Sequence, residues 1–149
     1  WLHGLRSTRD GRPNLATPAR GALALASRRS AALTGAARVM DDNYATAWVA
    51  PRASGEAATG AWLRLDRGTE RALVRQEIRF EYAWKPVRFT LEASTDGETW
   101  ITLRTPAGDS PVGSPLILEG AVKARYLRLT FSSVASGSDG AAVIDWSVF

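Results

Sequence analysis

The sequence predicts an all-β fold, a β-sandwich of the jelly-roll type, and two patterns support that prediction. Apolar and charged residues alternate one by one in several short runs, of which Val74–Tyr82 and Val87–Ala93 are the clearest. Alternation with a period of two is typical of a strand that has one face in a core and the other in water. Turn residues separate such runs about every ten positions, as in sandwiches and jelly rolls.

The chain of 149 residues fits a single domain that is large enough to bury a hydrophobic core. Residues 1–13 show no periodicity, and we interpret them as a linker or as the remnant of a preceding domain. The globular module is predicted to span residues 14–149 and to begin at Asn14-Leu-Ala16. Besides the two runs above, strands are predicted at Leu23–Ser27, at Ala61–Asp66 with a turn at Arg67-Gly68, at Trp100–Leu103, at Ala124–Phe131 and at Ala142–Phe149.

Val74–Tyr82 and Val87–Ala93 are predicted to pair as a hairpin, because only Ala83-Trp-Lys-Pro86 separates them. The tip of this hairpin would carry Trp84 beside Pro86, whose ring stiffens the chain. A half-buried scaffold that presents an aromatic ring at a loop tip indicates a binding module rather than a catalyst.

The composition excludes several kinds of site. The chain has no Cys, which excludes disulfides, zinc–thiolate sites and cysteine nucleophiles. The one His is His3, outside the predicted module, so the usual general base of a serine or cysteine mechanism is missing. No apolar run approaches the roughly 20 residues of a membrane-spanning helix, and we predict no membrane span.

The net charge of +4 comes mainly from Arg residues whose placement matters more than their number. On the strand-like runs, residues such as Arg75, Arg79 and Arg128 alternate with Glu, which predicts solvated outer faces with cross-strand ion pairs. A nucleic-acid groove would need basic residues clustered without acids and interleaved with stacking aromatics. We therefore expect no nucleic-acid partner.

Paired carboxylates could in principle serve as the acid and the base or nucleophile of a glycosidase. The nominal pairs are Asp41 with Asp42, and Glu56 with Asp66. Adjacent residues in a turn cannot straddle a glycosidic bond, and Glu56 lies in a Gly- and Ala-rich loop. The sequence has no Gly-rich phosphate loop and no serine nucleophile elbow. We predict that this chain is not itself an enzyme.

Six short motifs, weak singly, occur in an order and at spacings that are specific together. They are Asn14-Leu-Ala16, Asp41-Asp-Asn-Tyr-Ala-Thr-Ala-Trp48, Ala61-Trp-Leu-Arg-Leu-Asp66, Ser94-Thr-Asp-Gly-Glu-Thr-Trp100, Ala124-Arg-Tyr-Leu-Arg-Leu129 and Ile144-Asp-Trp-Ser-Val148. From Asn14 to Phe149 the chain resembles the discoidin family, also called the coagulation factor V/VIII C-type domain, which implies a discoidin, galactose-binding-like jelly roll. Bacterial members include the family 32 carbohydrate-binding modules, which are attached to glycoside hydrolases.

A narrower resemblance concerns two strings, Asp42-Asn-Tyr-Ala-Thr46 and Glu81-Tyr-Ala-Trp-Lys-Pro86. They are similar to strings in discoidin modules appended to family 43 glycoside hydrolases, which act on arabinose- and xylose-containing polysaccharides. The resemblance implies a catalytic domain in the same polypeptide and a polysaccharide or oligosaccharide ligand. It favours a secreted or periplasmic bacterial enzyme as the parent protein.

The segment from Asp41 to Thr46 concentrates oxygen ligands of the kind that Ca²⁺ prefers. Many discoidin-type sugar-binding modules hold a structural Ca²⁺ here. By resemblance, its ligands would be Asp41, the carbonyls of Val39 and Asn43, Thr46 and Asp145. The sequence departs from the family at Asp42, where Gly is common, and at Asp145, where Glu is usual. Alternatively, Asp41 and Thr46 only brace a turn through hydrogen bonds to the backbone.

The ligand site is predicted at the loop end of the sandwich, where the family meets its ligands. Trp84 would stack on the apolar face of a sugar, while Lys85, Arg52 or Arg28 donates hydrogen bonds to hydroxyls. Tyr82 and Tyr44 are further candidates for ligand contact. Alternatively, Trp84 packs on a neighbouring loop or on the catalytic domain. By contrast, the other tryptophans at family positions, Trp48, Trp62 and Trp100, are expected to pack the sandwich.

The function predicted from these residues is a non-catalytic carbohydrate-binding module that targets a parent glycoside hydrolase to its substrate. One alternative is a purely structural accessory domain that packs on the catalytic domain. The other is a protein- or anionic-membrane-binding discoidin domain, which needs apolar spikes at the loop ends. Arg28-Arg-Ser30 and residues 49–60 offer few large apolar side chains for that role.

Overall fold

The structure, a computed structural model, describes residues 8–9, 12–17, 20–26, 39–40, 48–49, 62–80, 87–105, 115–134 and 142–149. These residues form nine strands and no α-helix, so the all-β prediction is confirmed. No helix within the described ranges has the length and apolar character to cross a membrane. The strands are β1 (Thr8–Arg9), β2 (Arg12–Pro13), β3 (Leu23–Ala26), β4 (Trp48–Val49), β5 (Trp62–Phe80), β6 (Val87–Ser94), β7 (Ile101–Arg104), β8 (Leu116–Val134) and β9 (Ala142–Val148).

Every strand pair among the described residues is antiparallel. Apart from the small β1–β2 pair, the strands follow the order β4-β9-β5-β8-β6-β7, and β3 also pairs with β5. The two long strands take part in both layers of the sandwich. The first half of β5 lies between β3 and β8, whereas its second half lies between β8 and β9. Correspondingly, only the second half of β8 pairs with β6.

The long strands turn from one layer to the other at a large irregularity in their ladder. Asp66 pairs with Tyr126 and Arg71 pairs with Ala124, so residues 67–70 of β5 stand opposite Arg125 alone. Gly68 adopts a φ of 79°, which a residue with a side chain rarely adopts. Such bulges bend a strand and increase its twist. The predicted turn at Arg67-Gly68 is therefore wrong, because the strand continues through this bend.

The core lies between the two layers and draws on both halves of the long strands. Residues such as Leu65, Leu129, Ile78, Trp146 and Val148 belong to one buried apolar cluster. The inward positions of β5 are odd-numbered up to Leu73 and even-numbered from Gln76 onward. The change coincides with a second bulge, where Gly120 and Ala121 of β8 both stand opposite Val74. Alternation thus places one face of each half-strand in the core.

Asn14 ties the beginning of the module to its last strand. Its Oδ1 accepts hydrogen bonds from the backbone N–H of Ala16 (3.0 Å) and of Val148 (2.9 Å). The backbone N–H of Leu15 donates to the carbonyl of Val148 at 2.6 Å. Asn14 is buried, and these bonds hold the chain after β2 against the end of β9.

The predicted hairpin of Val74–Tyr82 with Val87–Ala93 is wrong, although residues 74–80 and 87–93 lie on strands. β6 pairs with β7 and β8, and β8 separates it from β5. Alternation reports which face of a strand is buried but does not report its neighbour. The chain between Phe80 and Val87 therefore joins two strands that do not pair with each other.

Arg67 faces inward at the bend and is 2% exposed. Its Nη1 donates to the carbonyl of Ala124 at 3.2 Å, whereas Nε and Nη2 are buried without a hydrogen-bond partner. Burial, with the nearby charge of Arg71, lowers the pKa of Arg67 from its ordinary value to about 10. A buried cation without an anion destabilises the native state relative to an apolar residue of similar size.

We predict that Arg67→Met raises the free energy of unfolding by about 1–3 kcal/mol, because it removes the cost of desolvating the guanidinium. Urea denaturation monitored by tryptophan fluorescence measures the change. Arg71→Met, which removes an equal charge from an exposed position on the same bend, should change stability much less. A loss of stability in Arg67→Met would show that the bond to Ala124 outweighs the desolvation.

Asp66 stabilises the same bend through hydrogen bonds on the outer face of the sheet. Its Oδ1 accepts from the backbone N–H of Gly68 (2.8 Å) and from Nε of Arg125 (2.9 Å), while Oδ2 accepts from Nη2 of Arg125 (3.2 Å). The hydrogen bond from Arg125 and that from Gly68 hold the pKa of Asp66 below its ordinary value of 3.8, against the opposing effect of burial.

We predict that Asp66→Asn lowers the melting temperature at neutral pH and that this difference disappears in acid. A lowered native pKa stabilises the fold while the carboxylate is ionised, and this contribution is lost as the pH falls below about 3.8. Thermal melts between pH 2 and pH 7 measure the convergence of the two proteins. Glu70→Gln, whose side chain is paired with Lys123 at the surface, is the matched control and should show a smaller effect.

Candidate functional site

The predicted loop-end ligand site lies outside the described residues, and so do most of the predicted calcium ligands. The ligand-contact residues concerned are Trp84, Tyr82, Lys85, Tyr44, Arg52 and Arg28, and the calcium ligands are Asp41, Asn43 and Thr46. Val39 and Asp145 are described and both are buried. The assignments to the loop end remain predictions.

Asp145 belongs to a buried polar cluster on the last strand. Its Oδ2 accepts a hydrogen bond from the hydroxyl of Ser147 at 2.7 Å. The Oγ of Ser147 in turn accepts a hydrogen bond from Nδ2 of Asn14 at 3.3 Å. The cluster offers a carboxylate, a hydroxyl and an amide, all with oxygen atoms that suit a hard cation. Within the described ranges, no three acidic or His residues come close enough to hold a metal ion. A calcium site at Asp145 would need the predicted ligands between Asp41 and Thr46.

A second cluster lies on the outer face of the layer formed by β3, β5, β8, β6 and β7. We call it the outer aromatic face and define it by Trp62, Arg64, Trp100, Tyr126 and Arg128. Trp62 and Arg64 point outward because Leu63 and Leu65, which alternate with them along β5, are buried in the core. In the same way, Tyr126 and Arg128 alternate with the buried Leu127 and Leu129.

Guanidinium groups and aromatic rings alternate across this face. The Cζ of Arg64 lies 5.6 Å from the ring centroid of Trp62 and 5.5 Å from that of Tyr126. The Cζ of Arg128 lies 3.9 Å above the ring of Trp100, and the rings of Trp100 and Tyr126 are 6.5 Å apart. A cation over an aromatic face at these distances is attracted to the ring electrons, which favours this arrangement of the side chains.

A tight turn between β6 and β7 positions Trp100 on the outer aromatic face. The Oγ of Ser94 accepts from the backbone N–H of Gly97 at 2.9 Å, and Oδ1 of Asp96 accepts from those of Glu98 and Thr99, both at 2.8 Å. Gly97 has a φ of 82°, and a Cβ there would lie 3.3 Å from the Tyr126 ring. The predicted turn at residues 95–97 is confirmed, and the close approach to Tyr126 explains its glycine.

The structure corrects the expectation for Trp62 and Trp100, which are partly exposed on the outer aromatic face instead of packing the core. Trp146 is the tryptophan that fills the core, where its Nε1 donates to Oε1 of the buried Gln76 at 3.1 Å. The alternation of Ala61–Asp66 already placed Trp62 on the same side as Arg64. The side chain of Trp48 is not among those described.

The arrangement has no catalytic pair among the described carboxylates. Asp66, one of the nominal candidates, is bound to Arg125, and its lowered pKa keeps it ionised and unable to act as an acid near neutral pH. Glu119 borders a cleft of about 310 Å³ beside Ile101 and Leu118 and is paired with Arg75. Glu56 is outside the described ranges. Asp66 and Glu119 are therefore both held in ion pairs on the surface of the sandwich.

The chain belongs to the F5/8 type C domain family, whose family model matches residues 24–145. This match confirms the discoidin resemblance that the six motifs predicted. Among curated proteins, none matches the chain significantly.

Solved structures share the fold over most of the chain. Chitosan-binding module 1 of a chitosanase/glucanase from Paenibacillus sp. IK-5 is 24% identical with a TM-score of 0.70, covering 91% of this chain and 98% of that one. The protein described as CpGH89CBM32-6, from Clostridium perfringens, is 16% identical with a TM-score of 0.72 and the same coverages. The family 32 module of AlyQ, solved with 4,5-unsaturated mannuronic acid, is 15% identical with a TM-score of 0.67, covering 85% of this chain and 93% of that one. At these identities the likeness establishes the shared sandwich fold.

The calcium hypothesis predicts that a chelator lowers the melting temperature and that added Ca²⁺ restores it. Asp145→Asn should abolish this response, because it keeps an oxygen for the hydroxyl of Ser147 but removes the charge that would face the ion. Differential scanning calorimetry with EDTA and then excess Ca²⁺ measures the effect. Asp96→Asn, in the turn before Trp100, is the control and should keep the wild-type response. An identical melting curve in EDTA and in Ca²⁺ would exclude a stabilising ion.

Proposed function

We propose that this chain is a non-catalytic carbohydrate-binding module that keeps a tethered glycoside hydrolase on its polysaccharide substrate. The observation that carries the proposal is the sandwich of an F5/8 type C domain whose predicted loop end offers an aromatic ring and basic side chains, with the nominal acid Asp66 held in an ion pair. Rings and fixed hydrogen-bond donors are the groups that protein sites use to bind a sugar's apolar face and its hydroxyls.

The structural neighbours support the same role. One is a chitosan-binding module of a chitosanase/glucanase, and another is a family 32 module solved with a sugar acid. In such an arrangement the module does no chemistry. It raises the effective concentration of substrate around the catalytic domain, and even weak binding is sufficient for that purpose.

The proposal extends to the parent enzyme through the sequence resemblance alone. The strings from Asp42 to Thr46 and from Glu81 to Pro86 favour a family 43 hydrolase and therefore polysaccharides that contain arabinose and xylose. The same resemblance favours a secreted or periplasmic bacterial protein. The ligand set therefore includes arabinoxylan and arabinan, with galactan as a comparison.

Titration of the domain with arabinoxylan, arabinan and galactan oligosaccharides by isothermal calorimetry tests the function. We predict weak but measurable binding, and we predict that Trp84→Ala abolishes it while leaving the fold intact. Ile101→Ala is the matched control, because it removes a large apolar side chain that is 53% exposed on β7. Unaltered affinity in Trp84→Ala would return this ring to a structural role. If the wild-type domain bound none of the glycans on a broad array, the proposed function would be contradicted.

A further inference from the structure

Arg64 differs from Arg128 and from the neighbouring Arg125 in forming no hydrogen bond or ion pair with a described residue, although the charge of Asp66 acts on it from two residues along the strand. Arg128 donates to Oε1 of Glu92 from Nη2 (3.1 Å) and from Nε (3.3 Å), and Arg125 pairs with Asp66. The structure shows cation–π contacts for Arg64 and no hydrogen bond or ion pair with any described residue. Asp66 attracts Arg64 at longer range, but both of its oxygens accept hydrogen bonds from Arg125, so the guanidinium of Arg64 has no bidentate acceptor among the described residues.

The orientation of Arg64 leaves one edge of its guanidinium available. Nε is buried and has no partner, whereas Nη1 and Nη2 are not among the buried unpaired atoms and reach solvent. The group lies between the rings of Trp62 and Tyr126, which restrict its rotation. Two parallel N–H groups in a fixed plane match the two oxygens of a carboxylate.

The surroundings of Arg64 form a strip that crosses the whole layer. The register aligns Leu25 with Arg64, Arg64 with Arg128, Arg128 with Glu92, and Glu92 with Thr102. Four interstrand spacings make this strip about 19 Å long. Leu25 is 44% exposed and supplies an apolar border next to the unpaired cation.

We propose that the outer aromatic face is a second ligand site, distinct from the loop end, and that it binds the carboxylate groups of acidic saccharides, with Arg64 as the residue that selects them. The carboxylate of a uronic acid accepts two hydrogen bonds from Nη1 and Nη2 of Arg64. The apolar face of the same sugar rests on Leu25 and on the edge of Trp62. This inference rests on the proposed carbohydrate function and names the ligand class for a surface which that function alone does not assign.

Charge complementarity argues for an acidic ligand over a neutral one. Directly opposite Arg64 on β8 stands a second cation, Arg128, whose partner Glu92 lies on its far side. Two like charges in opposite positions of adjacent strands repel each other. An anion at Arg64 relieves this repulsion, whereas a neutral sugar leaves it unchanged.

The test compares oligogalacturonides with the same oligosaccharides after methyl esterification, which removes the charge and keeps the ring. We expect the wild type to bind the acids more tightly than the esters, and we expect added salt to weaken only the acids. Arg64→Gln should lower the affinity for the acids about tenfold and leave the esters unaffected. Arg64→Lys, which keeps the charge but loses the planar pair of donors, should recover only part of the affinity.

Arg71→Gln is the matched control, because it removes the same charge from an exposed position on the bend of the same strand. It should bind both ligands as the wild type does. Circular dichroism and melting temperature establish that each variant is folded. Equal binding of acids and esters by the wild type would overturn the inference without reference to any variant.

The remaining outcomes separate this inference from the proposed function. Equal affinities in Arg64→Gln and Arg71→Gln would overturn the role of Arg64 even if the domain prefers acids. Binding of neutral glycans without any preference for acids would overturn this inference and leave the carbohydrate function standing. Failure to bind any glycan would overturn both. Binding of polyglutamate as tightly as oligogalacturonide would assign the surface to an acidic protein partner and overturn the saccharide assignment.

Discussion

The fold depends on one constraint, the bent ladder that β5 and β8 share. These two strands belong to both layers of the sandwich, so the bend between Asp66 and Arg71 fixes the position of each layer relative to the other. Gly68 supplies the unusual backbone conformation, and Asp66 closes the bend by bonding to Gly68 and to Arg125 on the opposite strand. Bulges of this kind are how a strand passes from one packed sheet to the next. Without the bend, residues such as Leu65 and Trp146 would not meet in one core.

The same bend explains what the outer aromatic face can do. The first half of β5 is held on one side by β3 and on the other by β8, so its outward residues have little freedom to move. A site on such a scaffold loses little conformational entropy on binding, because its groups are already ordered in the free protein. The contacts of Arg64 with Trp62 and Tyr126 add to this order within the face itself. The pairing of β5 with β3 and β8 therefore also orders the outward side chains that form the candidate site.

Local patterns predicted the strands well and their neighbours poorly. Alternation identified both ends of β5, most of β6 and the second half of β8, because each of these segments buries one face against the same core. It could not identify β8 as the strand between β5 and β6, since that pairing joins residues far apart in sequence. It also failed at Gly68, where a glycine that normally marks a turn lies inside a bent strand. For the site, the sequence placed Trp62 and Arg64 on one face, yet the cation–π contacts with Tyr126 depend on the cross-strand register and required the structure.

Arg64 and Arg67 show how position decides what an unpaired arginine does. They lie three residues apart on the same strand and on opposite faces of it, and neither forms a hydrogen bond or a salt bridge with an acidic described residue. Arg67 is enclosed by the core, so its unpaired nitrogens meet no water, and its lowered pKa records the cost. Arg64 keeps Nη1 and Nη2 in contact with solvent while aromatic rings support its plane, so it carries little of that cost until a ligand arrives. An anion that reaches Arg64 replaces water with a bidentate partner, whereas one that reached Arg67 would first have to open the core. Arg64 is therefore the arginine suited to ligand recognition. Arg67 lowers the stability of the fold, because the bend places it in the core.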